Sequence, residues 1–202
     1  MNKILKNTLI LTAITVVAGC LLGLVYEITK GPIAVAQESA KQKAYRTVLV
    51  DAEDFTSYEE FDAEESSSLL AEAGYTSDDI NEVAVAKDQS GKAIGYVITV
   101  TSHEGYGGDI QVSVGIQSDG TVTGVSFLSI SETAGLGMKA KEPSFYEQYV
   151  GKNPTKFAVS KDGGDGEQID ALSGATITSR AVTGAVNAAL GYYQNAFGQG
   201  GN

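Results

Sequence analysis

Apolar and polar positions divide the chain into an anchor, a lead-in and a domain. From Asn7 to Tyr26 no residue is charged, and Leu9, Ile10, Leu11, Ile14, Val16, Val17, Leu21, Leu22, Leu24 and Val25 fill the run. About 20 apolar residues at 1.5 Å rise cross a hydrocarbon core of about 30 Å. A secretory apolar region is typically shorter and ends at a small-residue cleavage site, and no such site follows Tyr26. The pattern predicts a retained single membrane anchor over residues 1–30. Lys3 and Lys6 precede the run, so the positive-inside tendency keeps the N-terminus in the cytoplasm and the remainder outside it.

Gly31-Pro32 predicts a break at the membrane exit, after which Val35, Ala36, Ala40, Tyr45, Val48 and Leu49 recur at helical spacings. The acidic stretch from Asp51 to Glu65 predicts a short helix and loops with a solvated face, ahead of Leu69 to Ala73. Residues 31–80 are thus a helical lead-in.

From Glu82 the period becomes two. Val83 and Val85, then Ile94, Val97, Ile98 and Val100, mark strands, and Ile110, Val112, Val114 and Ile116 alternate strictly. Ser118-Asp119-Gly120 supplies a tight turn into Val122, Val125 and Phe127, with Gly124 placed for a bulge. A short helix is expected over Glu142 to Val150, a strand over Lys156 to Val159, and a turn at Gly163-Gly164-Asp165-Gly166. The last helix is expected from about Thr178 to Asn195, with Val182, Ala185, Val186, Ala189, Leu190 and Tyr193 on one stripe. The fold class is α+β: a transmembrane helix, then one domain at residues 81–198 with an antiparallel meander flanked by helices, and a tail at 199–202.

Charge narrows the partners. The chain has 14 Lys plus Arg against 25 Asp plus Glu, a net charge of −11, and the chain without Lys3 and Lys6 stands at −13. Such a surface repels a phosphate backbone, so nucleic acid is not an expected partner. Cys20 is the only cysteine and His103 the only histidine. Disulfides, cysteine-held iron–sulfur clusters, c-type haem and multi-histidine zinc sites therefore lack ligands within the chain, and no metal site is expected. Any redox chemistry must use an organic cofactor. His103 reads as a strand-end residue.

Three short patterns carry competing readings. Val17-Ala18-Gly19-Cys20 resembles a lipoprotein cleavage box, but the apolar run continues through Leu21 to Tyr26, where a mature lipoprotein enters a polar tether. Lipidation at Cys20 and an inert cysteine within the span both attach the domain to a membrane. Gly19 and Gly23 are spaced for close packing against helical partners, or are a coincidental pair. Gly135-Leu136-Gly137-Met138-Lys139-Ala140 matches a dinucleotide fingerprint, but its upstream strands form a meander rather than a βαβ unit, and Pro143 interrupts the helix it needs.

The run Asp170-Ala171-Leu172-Ser173-Gly174-Ala175-Thr176 concentrates small residues and hydroxyls ahead of the last helix. Taken alone it is a capping turn. Together with the anchor, with Glu132-Thr133-Ala134-Gly135-Leu136-Gly137 and with the following Ile177-Thr178-Ser179-Arg180-Ala181-Val182, it resembles the G subunit of the Rnf electron-transport complex, a relative of the C subunit of the sodium-pumping NADH:quinone reductase. Gly105-Tyr106-Gly107-Gly108 adds a weaker match, and Ala134 stands where the family more often has proline.

The resemblance implies FMN joined by a phosphoester to Thr176 and installed from FAD by a magnesium-dependent flavin transferase. Gly174 and Ala175 would leave room for that enzyme, with Ser173 beside them. Asp170 would orient the hydroxyl, or is an ordinary turn-capping carboxylate. The loop Thr133 to Gly137, with Gly135 in it and Leu136 as an apolar contact, would meet the flavin. Gly107 and Gly108 would permit close backbone approach, or simply connect strands. Thr176 would be a point of attachment, with no catalytic residue in the chain.

The implied role is an electron relay in the bacterial cell membrane. It would work among the membrane and redox subunits of a complex that couples ferredoxin oxidation and NAD⁺ reduction to sodium or proton translocation. Two alternatives remain at this point: a stand-alone flavinylated lipoprotein for extracellular electron transfer, and a flavin-free anchored binding or sensor domain.

Overall fold

A computed structural model describes residues 2–198; the tail assigned to 199–202 lies outside the described residues. The chain forms two units, divided between Lys41 and Gln42.

The first unit consists of helix α1, which spans Lys3–Val48 and enters the second unit with its last residues. Among the described residues it is the one helix long and apolar enough to cross a membrane. Leu9, Leu11, Ile14, Val17, Leu22 and Val25 are all exposed on it. An apolar stretch whose residues are exposed all round suits hydrocarbon rather than water. The break expected at Gly31-Pro32 does not occur, since α1 runs through Pro32. Proline removes one backbone bond and crowds the preceding turn, but Ala34, Ala36 and Ala40 are strong helix formers that let the helix resume.

The second unit is built on a five-stranded antiparallel sheet: β1 (Asp54–Ser57), β2 (Asp78–Lys87), β3 (Ala93–Ser102), β4 (Ile110–Gln117) and β5 (Val122–Ser129), in that spatial order. The alternating residues Ile110, Val112, Val114 and Ile116 are fully buried, as period two requires. Strand β1 stands where the sequence pattern predicts helix and loops. Four residues are too few to show a period, but Phe55 and Thr56 favour extended backbone and pair with Ala86 and Val85. Helix α2 (Ala63–Glu72) follows, with the Asp62 carboxylate accepting the amides of Glu64 and Glu65 at 2.8 and 3.0 Å. Of the two irregularities in the β4–β5 ladder, the one between Gly115 and Ile116 leaves Thr123 as the extra residue, next to the expected Gly124.

One sheet face carries the main core. Helix α4 (Thr176–Ala196) lays Ala181, Val182, Ala185, Val186, Ala189 and Leu190 against Ile98, Val112, Val114 and Ile116. The other face receives the end of α1, where Tyr45, Val48 and Leu49 pack with Ala84, Ala86 and Val97. Gly115 and Gly124 are cross-strand partners beneath Val48. A Cβ at Gly115 would lie 2.5 Å from the Val48 carbonyl, and one at Gly124 would lie 2.9 Å from its Cα. The two glycines form a notch that seats the helix end.

Between sheet and α4 the chain makes a 3-10 turn at Gly137–Lys141, helix α3 (Pro143–Tyr146) and a second 3-10 turn at Glu147–Tyr149. Pro143 starts α3, a position where its missing amide costs nothing. Strand β6 (Phe157–Val159) then pairs in parallel with β7 (Glu167–Ile169), a strand the sequence pattern does not predict. Parallel neighbours usually need a longer crossover. Here Gly163, Gly164 and Gly166, all at positive φ, return the chain within a short loop. Asn187 on α4 holds β6 by accepting the Phe157 amide at 2.8 Å and donating to its carbonyl at 2.9 Å.

Candidate functional site

Helix α4 begins at Thr176, two residues earlier than the sequence pattern suggests, with Ala175 at its N-cap and no side-chain cap. The amides of Thr176, Ile177 and Thr178 therefore have no partner within the helix. Upstream, the turn is locked. The Ala175 amide donates to the Leu172 carbonyl at 3.1 Å. The Leu172 amide donates to Ser179 Oγ at 3.0 Å, and that hydroxyl donates to the Ala175 carbonyl at 3.0 Å. Gly174, at φ +75°, makes the reversal that a side chain would strain.

Thr176 opens onto a cavity of about 610 Å³. Its walls come from four separate stretches: Tyr106; Glu132, Thr133, Leu136 and Gly137; Lys161 of the β6–β7 loop; and Gly174 through Thr178. A Cβ at Gly174 would lie 3.2 Å from a Leu136 methyl, so the small residue lets the two distant loops touch. Tyr106, Leu136 and Ile177 are 71, 43 and 47 % exposed, three large apolar side chains facing solvent around one opening. Such clustering marks a binding surface more often than scattered apolar residues do.

The structure brings together part of the expected set. Thr176, Ala175, Gly174, Thr133, Leu136 and Gly137 line the cavity. The Thr133 carbonyl accepts the amides of Leu136 and Met138, which shapes the loop, and Gly135 makes its turn at φ +76° without lining the cavity. Ser173 and Asp170 are exposed and do not line it. Gln148 pins the Asp170 backbone, accepting its amide at 2.7 Å and donating to its carbonyl at 3.3 Å. Gly107 and Gly108 also lie outside the lining. A Cβ on Gly107 would sit 2.1 Å from the Ser131 carbonyl, so the close approach it permits is to this chain's own backbone.

The sequence pattern does not single out Tyr106, Lys161, Ile177 or Thr178 as site residues, and it marks Glu132 only as the start of the loop that ends at Gly137. An aromatic residue between glycines is an available signal for Tyr106. Lys161 has none, because its place depends on the parallel β6–β7 return. The neighbouring Asp162 binds Arg180 on α4, with Arg180 Nε at 2.8 Å, and this hydrogen-bonded guanidinium holds the Asp162 carboxyl below its ordinary range. His103 follows the end of β3, between Asp79 at 3.0 Å and Asp109 at 2.9 Å, and belongs to none of the cavity walls.

Residues 105–191 match the family model described as an FMN-binding domain, and every cavity-lining residue falls within that stretch. This sets the class: an FMN-binding α+β domain behind an apolar N-terminal helix. Residues 1–48 match the model of the RnfG N-terminal region. The chain is 35 % identical over 198 residues to the G subunit of the Na⁺-translocating ferredoxin:NAD⁺ oxidoreductase complex of Acetobacterium woodii, covering 95 % of this chain and 92 % of that one. It is 33 % identical over 194 residues to the G subunit of the ion-translocating oxidoreductase complex of Methanosarcina acetivorans, covering 95 % of each. The chain belongs to this RnfG family of ion-translocating oxidoreductase complexes. The crystal structure of the C subunit of the Na⁺-translocating NADH-quinone reductase from Parabacteroides distasonis shares its fold, with a TM-score of 0.52 and 23 % identity over 81 % of this chain and 85 % of that one.

Proposed function

We propose that this chain carries FMN joined by a phosphoester to Thr176 and relays electrons within a membrane complex that couples ferredoxin oxidation and NAD⁺ reduction to ion translocation. The observation that carries the reading is the placement of Thr176. It is the first residue of an uncapped helix, at the wall of a cavity rimmed by exposed apolar side chains. The unpartnered amides and the helix dipole suit a phosphate, and the volume suits a ring system of flavin size. FMN supplies one- and two-electron chemistry when bound, and the protein fixes its place.

In this reading the loop 133–137 and Tyr106 flank the ring, with Leu136 and Ile177 excluding water from it. A threonine hydroxyl is a weak nucleophile without a base. Asp170, exposed and outside the cavity lining, offers no base within it. An external flavin transferase therefore makes the bond, and the exposed Ser173-Gly174 turn gives it access. Helix α1 holds the chain in the membrane with the domain outside the cytoplasm, where attachment keeps the flavin from dilution. The other membrane and redox subunits of the complex are its partners.

The test is to purify the protein from a host that has the transferase and examine it after denaturing electrophoresis. Flavin fluorescence and an FMN-sized mass increment should persist in the native chain and vanish with Thr176→Ala. A native chain without that increment would overturn the covalent reading, and fluorescence surviving Thr176→Ala would overturn the site.

A further inference from the structure

Among the described residues, Lys161 is the only Lys or Arg that lines the Thr176 cavity, in a chain with a net charge of −11. Its position is built. Asn187 clamps β6 to α4 through both backbone groups of Phe157. The Asp162 amide donates to the Val159 carbonyl at 2.9 Å, which turns the chain directly after β6. Asp162 then engages Arg180, one helical turn beyond Thr176, and this pair ties the loop's neighbouring anion to a cation on α4. Lys161 is left between these fixtures, at the cavity wall. Among the described residues its ammonium forms no ion pair. The carboxylate sharing the cavity, Glu132, already accepts the Gly107 amide.

We infer that Lys161 is a positioning residue that supplies the counter-charge to the phosphoester anion on Thr176, with the Asp162–Arg180 pair holding its loop in place. The inference rests on the phosphoester reading above. A Lys ammonium acts as a flexible point charge toward phosphate. It would complement the unpartnered amides at the start of α4, which carry only partial charge. With Glu132 tied to the Gly107 amide, Lys161 is the cation at this cavity wall that an anionic occupant would meet.

The experiment compares the thermal midpoint of the full chain in detergent with and without flavin, at about 20 mM and about 500 mM salt, a range over which screening becomes nearly complete. Intact mass first confirms the FMN increment. In the native chain, flavinylation should raise the midpoint more at low salt than at high salt. Lys161→Gln should remove that salt-dependent part, a loss of about 2–4 °C at low salt. Lys161→Arg should retain it, as should Lys92→Gln on the β2–β3 turn, which changes net charge equally. If Lys161→Gln leaves the gain and its salt dependence unchanged while the FMN mass is present, this inference fails and the attachment at Thr176 stands. If no FMN increment is found on the native chain, the reading beneath it fails as well.

Discussion

The backbone amide of Gly107 donates to the Glu132 carboxylate at 3.2 Å, tying the glycine-rich loop after β3 to the loop after β5. Glu132 is about nine-tenths buried, and both loops contribute to one cavity, Tyr106 from the first and Thr133, Leu136 and Gly137 from the second. The carboxylate thus serves as a cross-brace for the cavity mouth. A hydrogen bond to a charged group is worth about 1.5–3 kcal/mol. Glu132→Ala is therefore expected to cost about 2 kcal/mol in urea unfolding of the full chain and to loosen Tyr106. Glu132→Gln, which keeps an acceptor, should recover about half. Equal stability of the two variants would show that the brace carries no energy.

Gly137 is the tightest point of the same wall. A Cβ there would lie 2.6 Å from a Glu132 carboxylate oxygen, 2.6 Å from Thr178 Oγ1 and 2.8 Å from Glu132 Cβ. These atoms belong to two buried side chains that have little room to retreat. Overpacking of this kind typically costs about 1–3 kcal/mol. Gly137→Ala is expected to lower the thermal midpoint and to reduce flavin incorporation measured by intact mass. Gly135→Ala is strained by its φ of +76° yet meets no neighbouring atom, so it should destabilise without narrowing the cavity. If incorporation falls equally in both, steric closure is not the cause.

The meander is legible because β2 to β5 repeat every second residue, and α4 because its apolar stripe recurs at helical spacing. Strand β1 and the β6–β7 pair are not, since three or four residues carry no period and their partners are set by tertiary packing. Pro32 reads as a helix end and is not one, because the preference for a break is local and can be outweighed by strong helix formers nearby. At the site, Thr176, Gly174 and Leu136 are legible from one-dimensional patterns. Gly107 is a place of close approach, as its pattern suggests, but the partner is the Ser131 backbone. Lys161 reaches the cavity only through a loop whose course no local pattern encodes.

The notch under Val48 gives a prediction for how α1 meets the domain. Gly115 and Gly124 leave no space for a methyl group, and Thr123 Oγ1 donates to the Val48 carbonyl at the same place. Gly124→Ala should displace the helix end, weaken the cluster of Tyr45, Val48, Leu49 and Val97, and cost about 1–3 kcal/mol. Limited trypsin digestion checks it locally: cleavage after the exposed Lys43 and Arg46 should accelerate in the variant, while sites on the β2–β3 turn should be unaffected. Uniform acceleration at all sites would instead indicate global destabilisation.

Asp78 should make stability fall with rising pH. It is the first residue of β2, paired with Ser102 across the ladder and 5 % exposed beneath Gly184 of α4. Neither Asp78 Oδ1 nor Ser102 Oγ has a hydrogen-bond partner among the described residues. Burial pushes the Asp78 carboxyl up from 3.8 to about 6; the Ser102 hydroxyl beside it works the other way, and the Glu104 charge adds to the rise. Because the folded value lies above the unfolded one, the folded state binds more protons between about pH 4 and about pH 6. Stability therefore declines across that window and stays low above it. A rise to about 6 corresponds to roughly 3 kcal/mol at most. His103, held above its ordinary value by Asp109 and Asp79, contributes stability that is full below its unfolded value near 6.5 and lost as pH rises through its folded value. The carboxyls of Asp88, Asp119 and Asp162 are held low by their hydrogen bonds and give the opposite slope at lower pH. The contributions of Asp88, Asp119 and Asp162 are common to the native chain and Asp78→Asn, so the difference between the two reports Asp78 together with its coupling to the His103 charge. Asp78→Asn is expected to be near-neutral at about pH 4 and more stable than the native chain by about 2–3 kcal/mol at about pH 7. A stability difference independent of pH across that range would mean that the buried carboxyl does not titrate within it.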